Sequence, residues 1–312
     1  MATADAVLTG AAVGVDIGPL ASRVDARWLM AFAAALGETH PRYFDTAAGE
    51  GPAAHPLFSV CYEWPALVAV REKVVPTGLA ARAVHASHRI VLHRPPRAGE
   101  TLLTSARVTR VEPRPAGTLL VVELATVDAG GGPVTTTEHG SIFRGVATDV
   151  PAAPRRRAGT DGSPSPPPGG AGTNPSAGPD EIAAPSAASA AGAGTAGWTE
   201  TIPIAAGAAH VYSECARIWN PIHTDIAAAR AAGLPGLILH GTATLALAVS
   251  RIVARELGGD PARVREVGVR FSGMVRLPSC LSVHAERDAG VIRFRATDPA
   301  GAVVLSEGVV TP

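Results

Sequence analysis

One motif occurs twice in this chain at a near-constant spacing, and that repeat limits the fold more than any other feature. Leu36-Gly-Glu-Thr-His-Pro-Arg-Tyr-Phe-Asp45 follows an apolar helical stretch, and Ala216-Arg-Ile-Trp-Asn-Pro-Ile-His-Thr-Asp225 does the same. Pro41 aligns with Pro221 and Asp45 with Asp225, both at an offset of 180 residues. Further along, Pro95–Leu102 lines up with Met274–Leu281 at an offset of 179. A shared offset over such a distance argues for an internal duplication, in which one supersecondary plan is used twice.

The copies are separated by residues 150–197, a stretch of Pro, Gly, Ala and Ser with almost nothing to bury. Such a segment cannot offset its ordering entropy, and a flexible, disordered linker is expected. The chain therefore divides into an N-terminal lobe (8–149), the linker (150–197) and a C-terminal lobe (198–312). The full length of 312 residues agrees with two domains of about 150 each. At 46% hydrophobic residues there is enough to build a core in each lobe.

Charge and cysteine content exclude several classes. Lys+Arg and Asp+Glu both number 27, so bulk charge does not draw this chain to nucleic acid or anionic lipid. Cys61, Cys215 and Cys280 are too few and too scattered for a disulfide framework or a tetrahedral metal centre. The start, Met1-Ala-Thr-Ala-Asp5, lacks the basic residues and apolar run of a secretory signal. The longest apolar stretch, Gly233–Ser250, is interrupted by Pro235 and His240 and bordered by Arg251, which fits a buried helix better than a membrane span. The expected location is the cytoplasm.

Within each lobe the order of elements is similar. Asp25 is placed to cap a helix whose apolar residues Trp28, Phe32 and Leu36 recur at i, i+4 and i+8, with Gly37 at its end. A longer helix is predicted near Leu57–Val74 in the first lobe and Gly241–Leu257 in the second. Strands are predicted at Arg89–Leu92, Thr101–Val111, Thr118–Val127 and Ser141–Val146. In the second lobe they fall at Val267–Phe271, Leu281–Glu286, Val291–Thr297 and Val303–Val310. Turn signals such as Ala129-Gly-Gly-Gly-Pro133 and Asp298-Pro-Ala-Gly301 lie between them. One long apolar helix followed by an antiparallel meander gives an α+β class, a sheet wrapped around a helix.

The sharpest local signal is Tyr212–Asp225, which contains Asn220-Pro-Ile-His-Thr-Asp225, followed by Ala232–Thr244, which contains His240-Gly241. Here the chain resembles the MaoC-like, R-specific enoyl-CoA hydratase family, with Asn220, Pro221, His223, Asp225, His240 and Gly241 matching its motif. The first lobe resembles the degenerate N-terminal half of two-lobed members, through Gly37–Asp45 and Ala54-His-Pro-Leu-Phe58. The resemblance implies a double hotdog: two antiparallel sheets, each around a long central helix, packed side by side. It implies a hydratase or dehydratase that interconverts 2-enoyl and 3-hydroxyacyl thioesters of CoA or acyl carrier protein. No metal and no organic cofactor is implied. A homodimer or a partner hotdog subunit is a possible assembly.

Chemistry assigns roles. Hydration of an enoyl thioester needs a base for water, an acid for C2 and a site for charge on the thioester oxygen. His223 suits the base near neutral pH. His240-Gly241 opens a helix, whose first N–H groups are free to hold an oxyanion, and Gly241 lets a carbonyl approach closely. Asn220, His240 and Thr242 are the expected substrate-binding residues. The family's catalytic Asp precedes the motif Asn by two residues, and that position here is Ile218. In the first lobe it is Glu38, but there Tyr43 replaces the histidine. Glu63, on the predicted central helix of the first lobe, is the candidate to complete the pair across the lobes.

Plainer readings apply to several residues. Asp225 is expected to cap the helix that follows, and Glu63 by itself reads as a solvated or paired helix residue. Trp28, Trp64 and Trp219 read as core, and Cys215 as a buried thiol. His55, His85, His88 and His93 are expected on different elements, and no metal site is expected. Two other functions stay open: a non-catalytic acyl-thioester-binding or scaffold protein, favoured by Ile218, and a hotdog thioesterase.

Overall fold

Among the described residues ten antiparallel strands pair into one sheet, in the order Asp16–Arg23, Thr101–Arg114, Gly117–Asp128, Pro133–Arg144, Ala83–Leu92, Glu266–Phe271, Val303–Thr311, Val291–Thr297, Ser279–Asp288 and Trp198–Ile204. The first five and the last five are mirror images in chain position, as a duplicated plan requires. The computed structural model describes residues 7–47, 49–152 and 197–312, and the linker expectation for 150–197 lies almost wholly outside the described residues.

In the first half β1 (Asp16–Arg23) leads into α1 (Ala26–Ala35) and α2 (Ser59–Val74). Then come β2 (Ala83–Leu92), β3 (Thr101–Arg114), β4 (Gly117–Asp128) and β5 (Pro133–Arg144). In the second half β6 (Trp198–Ile204) leads into α3 (Ala208–Ala216), α4 (Ile226–Ala231) and α5 (Gly241–Glu256). There follow β7 (Glu266–Phe271), β8 (Ser279–Asp288), β9 (Val291–Thr297) and β10 (Val303–Thr311). Each half is a sheet curled around its long helix, and together they form the double hotdog.

Local sequence explains the elements. Asp25 accepts from the Trp28 N–H at 2.8 Å and starts α1, whose Trp28, Leu29, Phe32 and Ala33 face inward. Gly37 ends that region at φ +69°, which costs a glycine no Cβ clash. Its counterpart 180 residues on is Arg217, which closes α3 at φ +58°. A side chain pays for that backbone with roughly 1–2 kcal/mol. Arg217 lays its guanidinium 4.0 Å from the Trp28 ring, a cation–π contact that offsets part of this strain.

The halves join edge to edge. β2 pairs with β7 from Ser87↔Arg270 to Val91↔Glu266, and Arg89 meets Glu266 at 2.7 Å across the seam. The apolar core of the second half runs through this seam to α1 and the start of α2, where Phe32, Phe58 and Tyr212 pack ring to ring. A separate core lies between the outer part of α2, at Leu67 and Val70, and the sheet residues Val108, Leu120 and Phe143.

Several expectations need correction. β5 begins at Pro133, not Ser141; the polar run Thr135-Thr-Thr-Glu-His139 hides half of a strand whose alternate residues are buried. β2 begins at Ala83, not Arg89. β1 and β6, unread in the sequence, carry Pro19 and Pro203 and occupy the two outer edges, where a missing N–H is tolerated. Trp219 is not core: it is 61% exposed, its indole N–H bonded to Glu214.

Candidate active site

His223 sits at the end of a short 3-10 turn, Pro221–His223, which Asn220 caps through its side-chain oxygen. The proline fixes the start of the turn, and Asp225 then caps α4 by accepting from the N–H groups of Ala227 and Ala228. Asp225 is thus a capping residue, as its position suggested. The His223 Nδ1 lies 2.9 Å from the Ile238 carbonyl. A carbonyl only accepts, so Nδ1 carries the proton and Nε2 keeps its lone pair. Burial lowers the pKa of His223, and the Ile238 carbonyl opposes that shift. The ring is a neutral imidazole near pH 7.

His240 stacks on His223 at 3.7 Å between ring centroids. Its Nε2 lies 3.1 Å from Ser213 Oγ, and burial, reinforced by His223, drives its pKa down to about 2. His240 is therefore a permanently neutral plate that fixes the His223 ring. It does not cap α5 with its side chain; Tyr212 instead donates to Thr242 Oγ1 at 3.0 Å.

α5 starts at Gly241, so the N–H groups of its first turn have no acceptor within the helix. A Cβ built on Gly241 would stand 3.2 Å from the Phe271 ring and 3.7 Å from His85 Nδ1. Glycine leaves room at the helix start that a side chain would crowd.

These residues line a cavity of about 710 Å³ that continues between the halves to α2, a volume within the range of small-molecule sites. Asn220, His223, Gly241 and Thr242 of the second half line it together with Leu67, Arg71 and Arg144 of the first. Ile218, in the position of the motif Asp, contributes an apolar, 4% exposed wall. Glu63 also lines the cavity, and among the described residues it is the one carboxylate that does. It is neither solvated nor salt-bridged: its Oε1 accepts from Thr135 at 2.9 Å and Thr137 at 2.8 Å. Desolvation pushes its pKa up to about 7, against the lowering effect of the two threonines.

The first-half counterparts stand apart from this cavity. Tyr43 replaces the histidine and is buried. His55, in the position of His240, is held by Ser250 Oγ at 3.1 Å and the Leu57 N–H. Glu38 is bonded to the same Ser250, with its pKa raised by burial. None of the three lines the cavity.

The expectation that His55, His85, His88 and His93 fall on different elements fails for two of them. His85 and His88 share β2, and both cluster with His139 of β5, their ligand atoms all within 4.8 Å of one another. Sequence reasoning missed His139, because its strand was not read.

Comparison with known proteins agrees with this geometry. Residues 197–307 match the family described as MaoC like domain, and residues 11–137 match the FAS1-like dehydratase domain region. The chain thus carries a MaoC-like domain in its second half and a FAS1-like dehydratase region in its first. The enoyl-CoA hydratase ChsH3 of Mycobacterium tuberculosis is 35% identical over 95 residues, covering 30% of this chain and 33% of that protein. The peroxisomal enoyl-CoA hydratase 2 of Arabidopsis thaliana is 42% identical over 53 residues, 17% of each. Fatty acid synthase β subunits match too, with 3% and 4% of their length covered in Emericella nidulans and Aspergillus oryzae. The chain thus spans a third or less of these curated relatives. The fold is shared over the whole chain: a MaoC-like dehydratase from Phytophthora capsici superposes with a TM-score of 0.72 at 22% identity, covering 96% of this chain and 95% of that one. Among the described residues, no helix is long and apolar enough to cross a membrane.

Proposed function

We propose that this chain is a hydro-lyase that interconverts a 2-enoyl thioester and a 3-hydroxyacyl thioester, with CoA or acyl carrier protein as the thiol. The observation that carries the reading is the pairing, in one cavity, of a neutral His223 with a free Nε2 and a helix start that Gly241 leaves uncovered.

In the hydration direction, Nε2 of His223 takes a proton from water as the oxygen bonds to C3. The N–H groups at Gly241 and Thr242 hold the charge that gathers on the thioester oxygen; such a donor contributes about 3–4 kcal/mol in acyl chemistry. Glu63, half-protonated near pH 7, returns a proton to C2. Asn220 holds the turn that aims His223. His240 fixes the ring plane. The thioester bond stays intact throughout, which separates this reading from a thioesterase.

A second reading has one observation in its favour. Ile218 replaces the motif carboxylate with a buried apolar side chain, as a protein that binds acyl thioesters without turnover would tolerate. Loss of enoyl-thioester absorbance, followed with trans-2-enoyl-CoAs of several chain lengths, decides between the two. Turnover that vanishes in His223→Ala supports the hydro-lyase. Binding of the same thioesters with no turnover supports the second reading. Release of free thiol would point to a thioesterase.

A further inference from the structure

β2 carries an irregularity that changes which side chains share a face. His85 pairs with Ser141 and Ser87 with Gly140, so Ala86 is an extra residue opposite the partner strand. In a regular strand two residues three apart point to opposite faces. The bulge restores His85 to the face of His88, and His88 pairs directly with His139. Three imidazoles and the Ser141 hydroxyl are thereby brought to one inward-facing patch, on the strand that joins the two halves.

The patch is short of partners. His88 is 3% exposed and neither of its nitrogens has a hydrogen bond, nor has Nε2 of His85. His139 reaches Ser141 Oγ at 3.1 Å. Buried polar atoms in folded proteins are almost always satisfied, and an unsatisfied group calls for an explanation. Each histidine offers one ligand atom, and the three lie within 4.8 Å of one another. His85, His88, His139 and Ser141 all line the cavity.

The geometry points to a divalent transition-metal site formed by His85, His88 and His139, with its fourth position open to the cavity. Three imidazoles with one open position are a donor set for zinc, cobalt or nickel, in which metal–nitrogen distances close to about 2.0–2.1 Å. With no carboxylate in the set, magnesium and calcium are disfavoured. Two features moderate the affinity. The His85 and His139 rings are stacked at 4.0 Å, so one must turn to ligate, and the Arg71 guanidinium is close enough to repel charge on both. The site adjoins the Gly241 end of the cavity but does not depend on the hydro-lyase reading.

The test is cobalt binding to the full chain, produced without an affinity tag and freed of metal with a chelator. One equivalent of Co²⁺ is expected to give the intense visible bands of a four-coordinate site, displaced by Zn²⁺. His88→Ala and His139→Asn are expected to weaken Co²⁺ binding about 100-fold or more, since even outer-shell changes at metal sites cost about 10–100-fold. Arg71→Leu is expected to tighten it. His93→Ala, at an exposed histidine bonded to Thr136, serves as the control and should bind as the parent does. Circular dichroism checks that each variant folds; should His88→Ala unfold, His139→Asn and Arg71→Leu carry the test. No cobalt uptake by the parent would overturn the proposal, as would uptake that none of the cluster variants alters.

Discussion

Glu63 on α2 is held from below by Thr137 of β5, whose hydroxyl donates to the carboxylate at 2.8 Å. Thr135, two residues away on the same face, donates to the same oxygen, and Tyr62 donates in turn to Thr135. The effect is a carboxylate buried without a cation yet held in one place. Desolvation favours its neutral form and the threonines favour its charged form; desolvation wins, and the group titrates at about 7.

Glu63→Gln removes the proton but keeps the shape. The variant is expected to lose about 10²- to 10⁴-fold in kcat, the usual contribution of a general acid or base, with little change in fold. Thr137→Val deletes one of the bonds that favour the carboxylate, so the pKa rises further. If Glu63 is the acid, the parent loses rate as pH rises through about 7, and this limb should move to higher pH in Thr137→Val. A kcat–pH profile of each protein checks both statements. An unchanged profile in Glu63→Gln would remove the residue from the reaction.

If His223 is the base, it sets the opposite limb. Its pKa is lowered by burial, so the base form persists below the ordinary histidine value of 6.5. The rate should therefore hold down to pH 6.5 and fall only below it. His223→Ala should abolish turnover and the acid limb together. Measurement of kcat/KM from pH 5 to 8 reads both.

Ile218→Asp restores the residue type of the family motif. It removes an aliphatic side chain that is 4% exposed, a loss of about 1.5–3 kcal/mol of burial, so thermal denaturation should show a lower Tm. In return the cavity gains a carboxylate on the motif turn, and hydration should be faster than in the parent. A variant that is less stable and no faster would mean that Glu63 already fills the role.

Gly241→Ala brings a methyl group to 3.2 Å from Phe271. Crowding of this kind typically destabilises by about 1–3 kcal/mol, while alanine returns up to about 1 kcal/mol of helix propensity. The expected result is a small change in stability and a large fall in kcat, because the methyl shields the helix start. Phe271→Leu in the same chain should relieve the crowding but not the shielding. Calorimetry and steady-state rates separate the two effects.

Acid should weaken the fold through buried histidines. The His55 pKa is lowered to about 3 by burial alone, so below pH 6.5 the unfolded chain takes up a proton that the folded chain refuses. Stability is complete above 6.5 and falls as pH drops, by about 2 kcal/mol between pH 6.5 and 5 for this one group. Urea midpoints for the parent and His55→Gln across that range should converge as the pH falls.

Much of this was legible in the sequence, and the exceptions have physical causes. Asp25, Gly37, Pro221 and Asp225 announce their roles because a cap or a fixed φ depends on the residue itself. The helices at 59–74 and 241–256 followed from long apolar runs. The first half of β5 was missed because its inward face is Thr135, Thr137 and His139, polar residues that water would also have accepted. Thr135 and Thr137 are satisfied there by Glu63, through contacts 72 and 74 residues apart in sequence. The histidine cluster was missed for a different reason. It rests on one inserted residue, Ala86, and a bulge leaves no periodic signature. Trp219 misled because its neighbour Ile218 is buried while its own ring is not.

The closed first-half site has a consequence for how this chain divides its work. Tyr43 is buried where the second half has His223, His55 is held by Ser250, and α2 with its half of the sheet serves as wall for the cavity. One copy supplies the proposed base, His223, and the helix start at Gly241; the other supplies volume, a carboxylate and a cluster of imidazoles. The copy that lost the motif is thus the one free to change, and relatives built on this plan should differ most in what they accept along α2 and β5, and least in the turn from Asn220 to Asp225.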